Sequence, residues 1–383
     1  MLHKHHEDRF KMLLTFLLSL PCLACSLLNE DGKELVFVQI LFRNGFSAPR
    51  ELYPHDPNNP NRWEEGLGDL TLLGRRQMYN IGKELRQRYN DFITANPREV
   101  TLQSATDIKS KRSSLCLLSS LYSPTESWEF LPGLKWQPMP IFYITSKDDK
   151  LLSPLRNCPT VSKRMDKLVD LYGNGTVLDM YEQQMKFWSM NSGMLIKDWN
   201  DVVSLYKILH AETISNHNVP SWVKKYWKEL VCLNDYAYKI NFSDSKLLKV
   251  VGGPLLWHFV NSAMTKAKGE MNHSKFMLYS GKSSHVAGFL GALKNFNNKQ
   301  PPFSSHVLME LFKDTTSGDH VVRWLFRNDT EYRVLRYPGC EEYCPLEYLH
   351  NQTEHWGNSK WGSDCWGSLT FDQLKELLES IRI

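Results

Sequence analysis

The chain has 383 residues, of which 42% are hydrophobic and 23% charged, and its formal net charge is +4. This is enough apolar material for a large buried core. The mild basic excess lacks the clustered Lys/Arg stripe of a nucleic-acid binder, so we expect no nucleic-acid partner and interpret the short run Lys109, Lys111, Arg112 as a solvated helix face.

The N-terminus has the layout of an export signal. A basic, His-rich lead precedes an apolar run over 12–20, and small residues follow around Ala24. The run is too short to span a bilayer, which needs roughly 20 residues, and we place a cleaved signal peptide at 1–26, with Met12 as an alternative start. No later stretch is apolar enough to anchor the chain, and 374–383 predicts an ordinary amphipathic helix. We therefore expect a secreted protein without a membrane anchor.

Two further features fit a secretory chain. The predicted glycosylation sites, each the first residue of an Asn-X-Ser/Thr triplet, are Asn174, Asn241, Asn272, Asn328 and Asn351. Of the eight cysteines, Cys22 and Cys25 lie at the signal boundary, and the rest predict disulfides without giving their connectivity. No Cys-X-X-Cys pair lies beyond the signal, so a zinc ribbon is not expected, and we predict no metal or other cofactor.

Strand and helix patterns alternate in the first part of the chain. The predicted elements are, in order, a strand over 34–41 (ELVFVQIL), a turn at 43–45, a helix capped by Thr71 and running to about residue 93, a short strand at 100–102 and a helix over 107–121.

The rest of the chain has a helical region followed by a region of strands with one helix. Residues 155–250 are helical in pattern, and beyond them we predict, in order, a strand at 276–280, a helix over 286–294 and strands at 306–312, 321–326 and 332–337. Strand–helix alternation at both ends of a helical middle predicts an α/β domain formed by 27–154 and 251–383, with a smaller α-helical domain inserted at 155–250.

Two segments follow the predicted strands at the place where open α/β sheets bind ligands. They are 42–49 (FRNGFSAP) and 279–284 (YSGKSS). The first resembles the Arg-His-Gly-X-Arg-X-Pro signature of the histidine acid phosphatases of the prostatic, lysosomal and insect venom type. The stretches 53–57 (YPHDP) and 337–347 (YPGCEEYCPLE) are also similar to that family. The resemblance runs from about residue 34 to the C-terminus, and it implies a mixed sheet flanked by helices.

The resemblance also implies a chemistry whose groups are replaced here. The family uses a histidine that forms a phosphohistidine, arginines that bind phosphoryl oxygens and a His-Asp pair that protonates the leaving group. Asn44 stands at the nucleophile, Ser47 and Ser104 stand at arginines, and Lys282-Ser283 replaces the His-Asp pair, whereas Arg43 keeps the first arginine. We therefore expect a pseudo-phosphatase with no catalytic residue, and we do not expect His285 or His55 to substitute.

Further expectations concern the disulfides and the cavity. The family pattern implies the bonds Cys340–Cys344 and Cys158–Cys365, with Cys116 and Cys232 left either to pair or to remain free. The lost side chains predict a roomier and less cationic cavity, with Phe46 either forming an aromatic wall or packing in the core. The candidate ligand-binding residues are Arg43, Asn44, Phe46 and Lys282.

The chain is also similar to the acid-phosphatase-like salivary proteins of blood-feeding fleas. That resemblance implies a secreted, inactive protein that binds host biogenic amines (serotonin and catecholamines) and lipid mediators such as leukotrienes. The alternatives are an active secreted acid phosphatase that hydrolyses phosphate monoesters, and a salivary or venom component that acts by protein–protein contact. Family members are often dimers, so a homodimer stays open, although the sequence identifies no interface.

Overall fold

One mixed β-sheet forms the centre of the protein. The computed structural model describes residues 28–29, 32–154, 158–174, 177–328, 330–357 and 365. The predicted signal peptide at 1–26 and the predicted helix at 374–383 lie outside these residues. Within them, the strands are β1 (Leu28–Asn29), β2 (Lys33–Arg43), β3 (Val100–Ser104), β4 (Phe276–Gly281), β5 (His306–Asp314), β6 (His320–Asn328), β7 (Glu331–Leu335) and β8 (Tyr343–Pro345).

The helices lie on both faces of this sheet and in the middle of the chain. They are α1 (Leu72–Arg88), α2 (Ile108–Leu121), α3 (Pro159–Val169), α4 (Glu182–Ser192), α5 (Trp199–Ile214), α6 (Ser221–Ser243), α7 (Ser245–Leu248), α8 (Gly253–Ala267), α9 (Ser283–Ala292) and α10 (Leu346–Gly357). The predicted α/β class with a mixed sheet flanked by helices is confirmed.

The strand order sets which ends of the strands meet. The sheet runs β3-β4-β2-β5-β6-β7, with β1 beside β2 and β8 beside β6. Strands β3, β4 and β2 are parallel to one another, and the strands from β5 onward are antiparallel to their neighbours. The carboxyl ends of β3, β4 and β2 therefore lie along one edge, which is where parallel strands place a ligand site.

Strand β2 is buried on both faces, which explains its nearly continuous apolar sequence. Phe37 and Leu41 point to a core shared with α8, α9 and α10. Ile40 and Phe42 point to the opposite core, shared with α1 and α2. The one polar residue between them, Gln39, donates a hydrogen bond from Nε2 to the carbonyl oxygen of Phe259 at 2.7 Å, so its burial leaves that donor satisfied.

The two helices on the second face begin at side-chain caps. Thr71 accepts a hydrogen bond from the backbone N–H of Gly74, as predicted, and Asp107 caps α2 by accepting from the N–H of Ser110. The prediction that the first helix extends to about residue 93 is wrong. It ends at Arg88, because Tyr89 leaves helical geometry and the turn-forming pair Asn90-Asp91 follows.

The helical middle of the chain has a core of its own. Residues of α4, α5 and α6, among them Trp188, Leu205 and Leu230, form one buried cluster that also takes Tyr53 from the loop after β2. A smaller cluster joins α3, α6 and α9. The insertion therefore packs against both the β2 loop and the start of α9, the two places where the sheet edge carries its polar residues.

Two disulfides hold the chain together. They join Cys158 to Cys365 and Cys340 to Cys344, the pairings that the family resemblance implies. Cys116 and Cys232 are both free thiols, so they do not pair with each other.

Candidate functional site

The polar residues predicted from the two strand ends do come together. Arg43, the last residue of β2, is the register partner of Gly281, the last residue of β4, and Ser104 on β3 is the partner of Ser280. The backbone N–H of Asn44 then donates to the carbonyl oxygen of Gly281. The segments that follow β2 and β4 are thus hydrogen-bonded side by side.

A close approach of two backbones fixes the turn after β2. A β-carbon on Gly45 would collide with the carbonyl group of Gly74 in the first turn of α1, and one on Gly74 would collide with the backbone of Phe46. The N–H of Gly45 donates to the hydroxyl of Ser113 on α2 at 3.2 Å. Only glycine fits at either position without displacing helix α1.

A cavity of about 520 Å³ opens between this sheet edge and the helical insertion. Its sheet side comes from the β2 turn, the first turns of α2 and α9 and the loop before β5, and its other side comes from α5 and α6. The lining includes Arg43, Asn44, Ser47, Arg50, Glu51, Lys109, Met165, Trp199, Val203, Ser204, Lys207, Ile208, His210, Tyr238, Ile240, Asn241, Phe242, Lys282, Ser283, Gln300 and Phe303.

Arg43 lies at the base of the cavity and is only 7% exposed. Its guanidinium donates from Nη1 to the carbonyl oxygen of Pro301 and lies 3.8 Å from the centre of the Phe303 ring. Burial lowers the pKa of Arg43 to about 10, so it remains a cation at neutral pH. No ion pair between Arg43 and an acidic residue occurs within the described part of the chain.

Asn44 and Ser283, two of the residues predicted to stand at former catalytic positions, line the same cavity. Asn44 is 3% exposed and donates from Nδ2 to the carbonyl oxygen of Gly45 at 2.8 Å. The hydroxyl of Ser283 lies 2.6 Å from that of Tyr238, which accepts from Nε2 of Gln300 at 3.1 Å. The amide nitrogen of Asn44 has no available lone pair for attack, and the hydroxyl of Ser283 is a poor acid.

Lys109 is the main residue of the site that the sequence interpretation missed. It projects from the first turn of α2, and its Nζ lies 3.4 Å from Oγ of Ser47. The prediction that the run 109–112 is a solvated face is wrong. Lys109 points into the cavity, Lys111 covers the ring of Tyr143 at 3.8 Å, and Arg112 pairs with Asp69.

The cavity carries an excess of basic side chains. Five basic side chains line it against the single carboxylate of Glu51: Arg43, Arg50, Lys109, Lys207 and Lys282. Ser104, by contrast, is fully buried at the end of β3, where its hydroxyl donates to the carbonyl oxygen of Ala105, and it is not among the lining residues.

The prediction of Phe46 as a ligand-binding residue is wrong. Phe46 is 1% exposed and packs in a small core with Trp63 and Ala211. Its ring meets Phe303 edge to face at 5.2 Å between centroids, and it is Phe303 that faces the cavity. The N–H of Phe46 donates to Oε1 of Gln77 on α1 at 2.8 Å, and the ring is enclosed by its core neighbours.

Two histidines near the site have different positions. His285 is buried at the third residue of α9, where Nδ1 accepts the backbone N–H of Lys282 at 2.8 Å, and it does not line the cavity. His210 on α5 does line it, stacked between Tyr206 and Phe303 with ring centroids at 5.2 and 6.3 Å. Burial, and then the charge of Arg43, lower the pKa of His210 to about 4, so its imidazole is neutral at physiological pH.

Neither a metal centre nor a membrane span is found among the described residues. No three or more His, Cys, Asp or Glu side chains there are grouped so as to hold a metal ion. None of the described helices combines the length and the apolar character needed to cross a bilayer.

One predicted glycosylation site lies inside the cavity. Asn241 is half-buried on α6, and its Oδ1 is buried without a hydrogen-bond partner. Asn272, Asn328 and Asn351 are exposed, and the side chain of Asn174 is outside the described residues. A glycan on Asn241 would have to leave through the cavity, so a chain modified there is expected to fold poorly.

We therefore expect secreted, folded protein to be unmodified at Asn241 and modified at Asn272 and Asn351. Glycopeptide mass spectrometry measures the occupancy of each site. Asn272 and Asn351 serve as internal controls for efficient glycosylation by the expression host. High occupancy at Asn241 in natively folded protein would contradict the placement of this side chain.

Known proteins resemble this chain in both sequence and fold. A sequence model described as the histidine phosphatase superfamily (branch 2) matches residues 8–327. Prostatic acid phosphatase of Bos taurus is 33% identical over 355 residues, covering 86% of this chain and 88% of the relative. Lysosomal acid phosphatase of Xenopus laevis is 29% identical over 327 residues, covering 83% and 75%. The solved apo form of Hafnia alvei phytase aligns with a TM-score of 0.63 at 16% identity, covering 86% and 98%, which is a likeness of fold.

Proposed function

The chain belongs to the histidine phosphatase superfamily, branch 2, and from that premise we propose that it is a secreted acid-phosphatase-like protein that has lost catalysis and uses its cavity to bind small ligands. One observation carries the first half of the proposal. Asn44 and Ser283, which replace the nucleophile and the acid, line the same cavity and are engaged by Gly45 and Tyr238. Loss of a nucleophile typically costs about a million-fold in turnover.

The size and composition of the cavity support binding. Its volume of about 520 Å³ falls within the range of roughly 300–1,000 Å³ that is typical of small-molecule sites. Aromatic and aliphatic side chains from α5 and α6 face the polar sheet edge, so a ligand with one polar and one apolar end would contact both. The secreted location is part of the proposal and agrees with the signal-like N-terminal sequence.

Two ligand classes follow from the flea salivary resemblance, and each has support in the cavity. The exposed carboxylate of Glu51 and the rings of Trp199 and Tyr238 offer an amine such as serotonin one counter-charge and aromatic surface. The basic side chains offer the carboxylate of a leukotriene several counter-charges. The active-phosphatase alternative retains Arg43 and an imidazole, His210, in the cavity, and it is tested by the assay discussed below.

Isothermal titration with serotonin, noradrenaline and a leukotriene tests whether the cavity binds them. We expect at least one to bind with micromolar or tighter affinity, and Ser204→Trp, which fills the cavity from α5, to abolish that binding. Thr213→Trp, on the exposed side of the same helix, is the matched control. Absence of heat for all three ligands at about 50 micromolar protein would contradict ligand binding of these classes.

A further inference from the structure

The basic side chains that line the cavity outnumber the acidic side chains that could neutralise their charge. Asp107 is ion-paired with one member of the cluster of Arg43, Lys109 and Lys282, because its Oδ2 lies 3.5 Å from Nζ of Lys282. The same carboxylate already accepts hydrogen bonds from the N–H and the hydroxyl of Ser110 as the cap of α2. Asp107 therefore offers Lys282, and through space Lys109, a carboxylate that also caps α2, whereas Arg43 has no ion pair with an acid among the described residues.

Burial makes this excess costly. Arg43 is almost fully buried, and the contacts that the structure gives its guanidinium are a carbonyl oxygen and a ring face. Cations removed from water without counter-charges destabilise a protein unless an anion approaches them. Lys109 adds a second, partly buried cation. Among the described side chains, its Nζ has only the Ser47 hydroxyl as a hydrogen-bond partner.

The opposite wall carries most of the cavity's apolar side chains. Trp199, Val203 and Ile208 from α5 and Ile240 and Phe242 from α6 line it, interspersed with the polar side chains of Lys207, His210 and Asn241. A ligand that fills the cavity thus meets a cluster of cations at one end and a mixed, largely apolar wall at the other. An anionic head with an apolar body matches both ends, whereas an ammonium head at the base would add like charge to like charge.

We propose that the cavity binds an amphiphile with a single anionic head (a carboxylate, phosphate or sulfate) and that Lys109, together with Arg43 and Lys282, anchors that head. The inference rests on the proposed function, because it names the ligand class of the same cavity. Lys109 supplies from α2 a cation beside Ser47, where the family signature has an arginine side chain. The site is thus an anion site rebuilt with a different residue.

Matched probes separate charge from hydrophobicity. Decanoate and decyl phosphate carry the anionic head, and decylammonium carries the same tail with the opposite charge. We expect titration calorimetry to show tighter binding of both anions than of decylammonium. Lys109→Gln is expected to weaken decanoate binding about tenfold, and Lys109→Arg to preserve it. Lys111→Gln is the control, because Lys111 lies on the same helix against Tyr143 and outside the cavity.

The pH dependence of binding gives a second readout that a purely structural role would not move. Burial lowers the pKa of Lys109 to about 8, with Arg50, Arg43 and Lys282 acting in the same direction and Asp107 opposing them. The ammonium form is present below that pH and lost above it. Decanoate affinity should therefore fall between about pH 7 and 9, and Lys109→Arg should flatten this fall because a guanidinium stays charged. The other titratable groups lining the cavity are Glu51, Lys207, His210 and Tyr238.

The outcomes distinguish this inference from the proposed function. Decylammonium binding as tightly as decanoate, or unchanged decanoate affinity in Lys109→Gln, would overturn the anion site while leaving a ligand-binding cavity in place. If serotonin or noradrenaline binds and neither anionic probe does, the anion site again fails alone. If no probe and no mediator binds, the binding function itself fails.

Discussion

Purified protein incubated with nitrophenyl phosphate at about pH 5 should release nitrophenol no faster than the buffer does. The expected turnover is about a million-fold below that of an enzyme with an intact nucleophile. The reason is local: Asn44 offers no attacking lone pair, and Ser283 offers no acid to protonate the leaving oxygen. Colorimetric release over hours, compared with an active acid phosphatase at equal concentration, measures this.

Restoration variants sharpen the test. Asn44→His alone should remain near background, because the proton donor is still missing, whereas adding Lys282→His and Ser283→Asp should raise the rate measurably. His210→Gln is the control for the one imidazole that lines the cavity among the described residues. Turnover by the natural chain that disappears in His210→Gln, or a phosphorylated histidine trapped during turnover, would show that the protein is an enzyme after all.

Replacing Glu310 with alanine should lower the free energy of unfolding by about 3 kcal/mol. Glu310 is 1% exposed on β5 and accepts hydrogen bonds from Arg88 at 2.9 Å, from the hydroxyl of Tyr89 at 2.7 Å and from Arg323 at 2.7 Å. Its negative charge raises the pKa of both arginines. Truncation would remove the counter-ion that Arg88 and Arg323 share, and Arg323, the more buried of the two, would keep Glu342 at 3.4 Å.

Urea unfolding with the disulfides intact measures this loss. Glu331→Ala on the exposed side of β7 is the control and should cost less than about 0.5 kcal/mol. In a double variant, Arg323→Ala should cost less on the Glu310→Ala background than it costs alone, because the partner is already absent. Equal costs on both backgrounds would mean that the ion pair does not contribute to stability.

The elements that the sequence predicted best are those whose local chemistry decides their structure. Strand β2 has an apolar run because both of its faces are buried, and the Thr71 cap depends on a hydroxyl three residues before Gly74. The first helix was predicted too long because Tyr89 and Phe92 continue its apolar spacing. Both residues do pack in the core, but from the turn that follows the helix.

The floor of the cavity was predictable, and its walls were not. Arg43, Asn44 and Lys282 follow strand ends, and parallel strands bring their ends together. His210 and Tyr238 come from helices of the insertion. No local pattern indicates which face of α5 or α6 turns toward Arg43, which lies more than 150 positions earlier in the chain. Lys109 had one usable signal: it stands in the first helical turn after β3, close to that edge.

The turn after β2 contains residues of two kinds, because Gly45 packs directly against the backbone of Gly74. Side chains at 44 and 47 line the cavity, so their exchange can alter reactivity while the backbone stays where it is. Gly45 has no such freedom, since any larger residue would push the first turn of α1 off the sheet edge. A protein with this fold can therefore lose its catalytic residues and still require the glycine. The presence of Gly45 indicates that the fold is retained, and it does not indicate activity.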